Sequence, residues 1–385
     1  MGPTVPLRRA AADPAARSQA RPAAHGVARL HELDGLRGLL ALFVVGFHLA
    51  GPLAALREAM GVWAPFMLEG WYAVDVFFLM SGFVMMHVYG DSFAGALNWG
   101  AWRRFMQARV ARLYPVHLAA LAVLFVCVLQ FMLKSPELAA DGGRYSVRAL
   151  LASLFMLHSP WIDYRSWNYP AWSISAEWHA YLLFPLLVPL VRKLGGATAL
   201  LWLAFAVLVP LGLYLQHLLP DPYPTNGLVV LLRVLPLFSG GMVLYRLRAR
   251  GNWMSGPLAV LATLGTLACL CSPVAAPYAV LLTPLLVLAV LEDRLVRGLF
   301  RAAPLLWLGK ISYSLYMTHA LVEIFLMRLA SKAVQRSADP ALLEQVGPAM
   351  LLWLASLGAA LLLGWLTWRA IEGPGRVLLV RWLPK

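Results

Sequence analysis

Residues 33–56 read LDGLRGLLALFVVGFHLAGPLAAL, and the 19 residues from Gly38 to Leu56 carry a single ionisable side chain, His48. A helix rises about 1.5 Å per residue, so roughly 20 apolar residues cross the hydrocarbon of a bilayer. The stretch therefore predicts a membrane-spanning helix over 36–56. Similar runs recur at 70–89, 112–133, 174–191, 197–218, 227–245, 257–272, 277–291, 305–330 and 347–368. Residues 257–291 hold no charge at all, which is too long for one crossing, and Ser272-Pro273 with Pro277 supplies a hairpin turn. About ten spans result. An eleventh apolar segment, Val147 to Leu157, is short and follows an arginine, so it reads as re-entrant or interfacial. The expected fold class is all-α, a polytopic transmembrane helix bundle.

Composition points the same way. Of 385 residues 61% are hydrophobic and only 13% charged, where soluble chains carry about 25% charged. This balance excludes a disordered chain, a nucleic-acid-binding arm and an ordinary water-soluble enzyme. The net charge of +14 would suit anionic partners, but its distribution follows the positive-inside rule. Arginines and lysines gather in alternate loops: 103, 104, 109 and 112; 192 and 193; 246, 248 and 250; 294, 297 and 301; then 369, 376, 381 and 385. That places both termini in the cytoplasm. The expected organisation is a disordered basic tail over 1–30, a membrane domain over 31–376 and a short cytoplasmic tail over 377–385. The first segment lacks the apolar core of a signal peptide. Cys127, Cys269 and Cys271 lie in apolar runs, and their spacing fits neither a zinc site nor a disulfide framework, so no metal is expected.

In a membrane bundle the informative residues are the polar exceptions, which face the interior rather than lipid. Arg37 and His48 are 11 residues apart, within about 20° of three full turns and about 16 Å along a helix axis. They share a face, with Asp34 placed to pair with Arg37 at i, i+3. A structural role, His48 satisfied by a neighbouring helix and Arg37 a boundary charge, is the alternative. Ser312, Tyr316, His319 and Glu323 form one helical stripe, which lines a cavity or glues helices. Asp75 and the small pair Ser81-Gly82 mark the second span. Ser173, Glu177 and Tyr181 lie on one face of the fourth, where a plainer reading makes Ser173 an N-cap and Glu177 a first-turn acid. Arg233 is a lone charge deep in the sixth span, which calls for a carboxylate on another helix. Arg103, Arg104, Arg109 and Arg112 are topology charges on the plain reading, and guanidinium forks for phosphate on the functional one.

Taken together, these motifs resemble the acyltransferase-3 family of bacterial integral-membrane O-acyltransferases. The residues that carry the resemblance are Arg37 with His48; Phe77-Phe78 with Ser81-Gly82-Phe83; Arg109-Val-Ala-Arg112-Leu-Tyr-Pro; Trp172-Ser173-Ile-Ser175-Ala-Glu177; Gly309 to His319; and Glu372-Gly373-Pro374. The match covers nearly all of the chain beyond the tail. The resemblance implies transfer of an acyl group, usually acetyl from acetyl-CoA, to a hydroxyl of a cell-surface polysaccharide, glycolipid or related acceptor. It implies a multi-pass protein of the bacterial inner membrane, among membrane lipids and without nucleic acid, in the form lacking a C-terminal esterase-like domain; homo-oligomerisation is left open.

The residue chemistry suits that reaction. A thioester must be attacked by an alcohol whose pKa lies far above neutral, and a positioned imidazole removes that proton. His48 fits by depth, with Asp75 or Glu177 as a carboxylate to orient it. Arg37, Arg109 and Arg112 are placed for the phosphates of the donor. Ser81, Ser173, Tyr316 and His319 are expected to line the substrate path. No G-x-S-x-G elbow occurs, so an acyl-serine intermediate has no motif support. A secondary transporter or flippase of a polar substrate is the alternative class. It predicts internal repeats, and the two halves show no self-similarity.

Overall fold

The computed structural model describes residues 28–61, 67–95, 98–216, 223–336, 339 and 341–382. The basic tail over residues 1–27 lies outside them. Among the described residues every regular element is helical. Apart from a six-residue helix, Ala54–Ala59, the α-helices are α1 (His31–Ala50), α2 (Tyr72–Tyr89), α3 (Trp99–Met132), α4 (Val147–Leu154), α5 (His158–Trp161), α6 (Trp172–Lys193), α7 (Gly196–Tyr214) and α8 (Val230–Arg248). They continue as α9 (Gly256–Leu270), α10 (Ala279–Glu292), α11 (Arg294–Phe300), α12 (Ala303–Leu321), α13 (Arg328–Gln335), α14 (Val346–Thr367) and α15 (Gly373–Trp382).

Each expected span overlaps at least one helix, but the first, expected over 36–56, ends at Ala50, where Gly51-Pro52 breaks it before a separate short helix, Ala54–Ala59. Among the described residues seven helices are long and apolar enough to cross a bilayer, and α9 and α10 are apolar but shorter, 15 and 14 residues. α12 carries the polar stripe and continues through a π-helical turn, Val322–Met327, into α13. The segment expected to be re-entrant forms only the eight-residue α4, then reverses at Met156, whose φ of 54° lies in the left-handed region. Eight residues rise about 12 Å, too little to cross. The expected boundary at residue 376 falls inside α15, which packs on α3 where Gly375 meets Pro115.

The interior is largely apolar, yet the exterior is apolar too, and a few charged groups lie inside. Leu201, Leu261 and Leu351 are each about two-thirds exposed, whereas Asp75, Arg233 and His319 are fully buried. Such an apolar exterior is suited to lipid, where outward leucines lose nothing and the buried polar groups turn inward to find partners.

Two backbone contacts set the geometry of the interior. A Cβ on Gly38 would lie 2.5 Å from Gly309 N, and one on Gly309 only 2.2 Å from Asp34 O, so α1 and α12 cross with no room for a side chain. α2 and α8 do the same: a Cβ on Gly82 would meet Phe238 O at 1.7 Å, and one on Gly241 would meet Leu79 O at 1.9 Å. Small residues permit such close approach, and in lipid van der Waals contact of this kind is a main source of helix association. The α1–α12 crossing brings the histidines of the two helices together.

Candidate active site

His48 and His319 face each other across that crossing, their ring centroids 4.9 Å apart. The His48 Nδ1 lies 2.9 Å from Val44 O and the His319 Nδ1 lies 2.6 Å from Tyr316 O. A carbonyl oxygen only accepts, so each Nδ1 carries a proton and each neutral ring keeps its lone pair on Nε2. Two backbone carbonyls, and not acidic side chains, thus hold both rings in the tautomer a base requires.

Tyr169 completes this end of the interior. Its ring packs against His48 at 5.1 Å between centroids and edge-on to His319 at 6.0 Å. Its hydroxyl donates to Glu323 and lies 3.5 Å from His319 Nε2. Pro170 sits in the single 3₁₀ turn that leads into α6, and Asn168 Nδ2 donates to Met317 O at 2.9 Å, pinning this turn to α12. Tyr316, one turn before His319, shares a 2.8 Å hydrogen bond with Ser173. His48, Tyr169 and Glu323 are partly exposed, whereas His319, Ser173 and Tyr316 are buried.

A second polar cluster lies toward the start of α1. Arg37 pairs with Asp34 at 3.1 Å, the i, i+3 pair expected from the sequence. Arg112 is bound to Glu372, which also accepts from Ser314 at 2.6 Å. Arg109 donates to the Tyr89 hydroxyl at 3.0 Å and lies over the rings of Tyr89, Phe105 and Tyr181. It forms no ion pair among the described residues, and its Nε is buried without a hydrogen-bond partner. Arg376 brings a further positive charge near Arg109 and Arg112. The cluster is therefore basic, with Arg109 and Arg376 both outside any ion pair among the described residues. Arg37 and His48 share one unbroken helix, so about 16 Å separates the two clusters by helix rise.

Between them, Glu177 accepts from Tyr181 at 2.6 Å, and Ser81 lies 3.1 Å from the same phenol. Glu177, Ser81 and Arg37 are partly exposed, as His48 is.

Asp75 belongs elsewhere. Its two carboxylate oxygens are taken by Arg233 Nε and the Tyr214 hydroxyl, both at 2.7 Å. Arg233 also donates to Trp71 O at 3.1 Å and sits between the rings of Trp172 and Tyr214. This is the interhelical carboxylate that the lone arginine called for, and all its atoms are spoken for. Neither Asp75 nor Glu177 is hydrogen-bonded to His48, so the orienting role expected of one of them falls to the Val44 carbonyl. Ser173 is not an N-cap: α6 begins at Trp172 with Ala171 as its cap, and Ser173 bonds Tyr316 instead. Sequence reasoning missed Tyr169 and the Arg112–Glu372 bond. The cue for Tyr169 was Asn168-Tyr169-Pro170 directly ahead of the Trp172-Ser173 motif.

Comparisons with known proteins give the family. A family model described as an acyltransferase domain matches residues 30–369. The acyltransferase MdmB of Streptomyces mycarofaciens is 29% identical over 383 residues, covering 93% of this chain and 94% of that protein. Protein 2 in the picA locus of Rhizobium radiobacter is 35% identical over 33% of this chain and 64% of its own length. The putative peptidoglycan O-acetyltransferase YrhL of Bacillus subtilis (strain 168) is 25% identical over 49% of this chain and 28% of its own length. No solved structure gives a significant match.

Proposed function

The chain belongs to the acyltransferase-3 family, and from that premise we propose that it moves an acetyl group from cytoplasmic acetyl-CoA to a hydroxyl of a cell-surface carbohydrate. Membership makes it a membrane acyltransferase. The hydroxyl acceptor is supported by the peptidoglycan O-acetyltransferase relative, and the donor by the basic cluster at the start of α1. In this reading the protein is a multi-pass protein of the bacterial inner membrane with both termini cytoplasmic, and its membrane domain is residues 31–376.

The single observation that carries the mechanism is the His48 ring, with Nδ1–H tied to Val44 O and Nε2 left as the basic atom. His48 Nε2 takes the proton of the acceptor hydroxyl as its oxygen attacks the thioester carbon. The tetrahedral intermediate collapses, the C–S bond breaks, and the His48 proton passes to the departing sulfur to give free CoA thiol. The ring returns to its starting state, so no outside proton source is needed. General-base assistance of this kind contributes roughly 10²–10⁴-fold.

Arg109, with no carboxylate of its own, is the first claimant for CoA phosphate. Arg37 and Arg112 flank it, already held by Asp34 and Glu372. The 16 Å helix rise to His48 is bridged by the extended pantetheine arm, so the nucleotide stays at the basic cluster while the thioester reaches the histidines. Ser81, Glu177, Ser173, Tyr316 and His319 line or support that path. The test is turnover itself: protein purified into lipid nanodiscs is given acetyl-CoA with a panel of methyl glycosides. Glycoside-dependent thiol release with an O-acetylated product supports the reading. Acetyl-CoA left intact in the presence of every glycoside counts against it.

A further inference from the structure

We infer that Glu323, held by Tyr169, is the residue that selects a polyhydroxylated acceptor, by accepting a second hydroxyl of the molecule whose first hydroxyl His48 deprotonates. The inference rests on the hydroxyl-transfer reading above.

Counting donors and acceptors leads to it. The Tyr169 hydroxyl has one proton, and that proton goes to Glu323 Oε2. His319 Nε2, 3.5 Å from the same phenol oxygen, receives none from it. His48 Nε2 makes no hydrogen bond with any described residue and, with the ring's proton committed to Val44 O, it is an acceptor. Glu323 Oε1 makes no hydrogen bond with any described residue. Of the partly exposed side chains at this end, His48, Tyr169 and Glu323 therefore present acceptor atoms and no spare donor, while Arg144 over the Tyr169 ring keeps its Nη1 as a donor. A ligand that satisfies such a wall must bring hydroxyl protons, and more than one of them, because His48 and Glu323 flank Tyr169 on different elements.

Position and charge agree. Glu323 sits in the π-helical turn Val322–Met327, one turn beyond His319 on the same stripe, and π-turns frequently mark functional positions. Arg144 lies over the Tyr169 ring at 5.5 Å and is fixed by donating to Trp167 O at 3.0 and 3.3 Å. Its charge offsets the carboxylate without bonding it, so the carboxylate stays an open acceptor. A carboxylate there also disfavours anionic acceptors and favours neutral sugars. Sites built to hydrogen-bond a hydroxyl discriminate strongly against analogues that lack it, since the buried partner is then left bare.

The experiment compares acceptors in nanodiscs at saturating acetyl-CoA, reading thiol release. The probes are the best-used methyl glycoside, cyclohexane-1,2-diol and cyclohexanol. In the wild type the glycoside and the diol should exceed cyclohexanol in kcat/KM. Glu323→Gln should raise KM for the glycoside roughly ten- to hundredfold, the loss of one charge-assisted hydrogen bond. It should leave kcat within a few-fold, the acetyl-CoA KM unchanged and the cyclohexanol rate unchanged. Glu323→Asp should restore part of the glycoside KM, and Tyr169→Phe should weaken it in the same direction. An unchanged glycoside KM in Glu323→Gln, or an equal loss with cyclohexanol, overturns the inference while leaving hydroxyl transfer intact. A wild type that releases thiol with none of the three probes overturns both.

Discussion

The imidazoles of His48 and His319 lie 4.9 Å apart, on two helices whose backbones touch at Gly38 and Gly309, each ten residues before its histidine. The proposed chemistry thus depends on a crossing that has no space for a methyl group. Gly309→Ala should destabilise the protein by about 1–3 kcal/mol through overpacking and lower activity by disturbing the histidine pair. Gly358→Ala, where a Cβ meets nothing within 4 Å, should be neutral. Melting temperature and activity of the two variants in one nanodisc preparation check this.

The Asp75–Arg233 pair should behave as structure and not as catalytic machinery. Both partners are fully buried, so Asp75→Asn leaves an unpaired guanidinium in the interior, at a cost of about 3–5 kcal/mol. Loss of folded yield is expected, with turnover per folded molecule near normal. The double change Asp75→Leu with Arg233→Met should recover part of the yield. Full folding of Asp75→Asn with abolished turnover would instead return Asp75 to the reaction.

Arg109→Ala should weaken acetyl-CoA binding roughly ten- to hundredfold, the loss of a charged contact, with little change in melting temperature. Arg112→Ala should weaken binding less and lower the melting temperature, because it strips the buried Glu372 carboxylate of its ion pair. Titration calorimetry with acetyl-CoA, paired with thermal melts, separates the two. Unchanged affinity in Arg109→Ala would leave the basic cluster with a topological role only.

His319→Gln should fold and bind acetyl-CoA, because glutamine can still reach the Tyr316 carbonyl, but should transfer more slowly. Activity per folded molecule is the measure. A variant that loses expression while keeping specific activity would make His319 a packing residue.

How much of this was legible beforehand follows from what sequence spacing encodes. Apolar runs near 20 residues place helices, and the 11-residue interval puts Arg37 and His48 on one face, as α1 bears out in one unbroken helix. The rule that a lone buried charge needs a partner gave Arg233 an interhelical acid, which is Asp75. Spacing says nothing of which helices are neighbours. Asp75 was therefore placed with His48 by depth, when α8 takes it. The Arg112–Glu372 bond joins residues 260 apart, and Tyr169 reaches Glu323 across 154. Such contacts arise from the glycine crossings and from the turn at Asn168-Tyr169-Pro170, none of which has a periodic signature. The tautomers of the two histidines were equally hidden, since they depend on backbone carbonyls.

The central claim, that His48 is the general base, is tested most directly by His48→Ala, assayed for glycoside-dependent thiol release beside acetyl-CoA binding in the same nanodiscs. The account predicts that transfer falls by about a hundredfold or more while acetyl-CoA affinity and folded yield stay at wild-type levels. Near-normal turnover in this variant would contradict it and shift the role of base to His319.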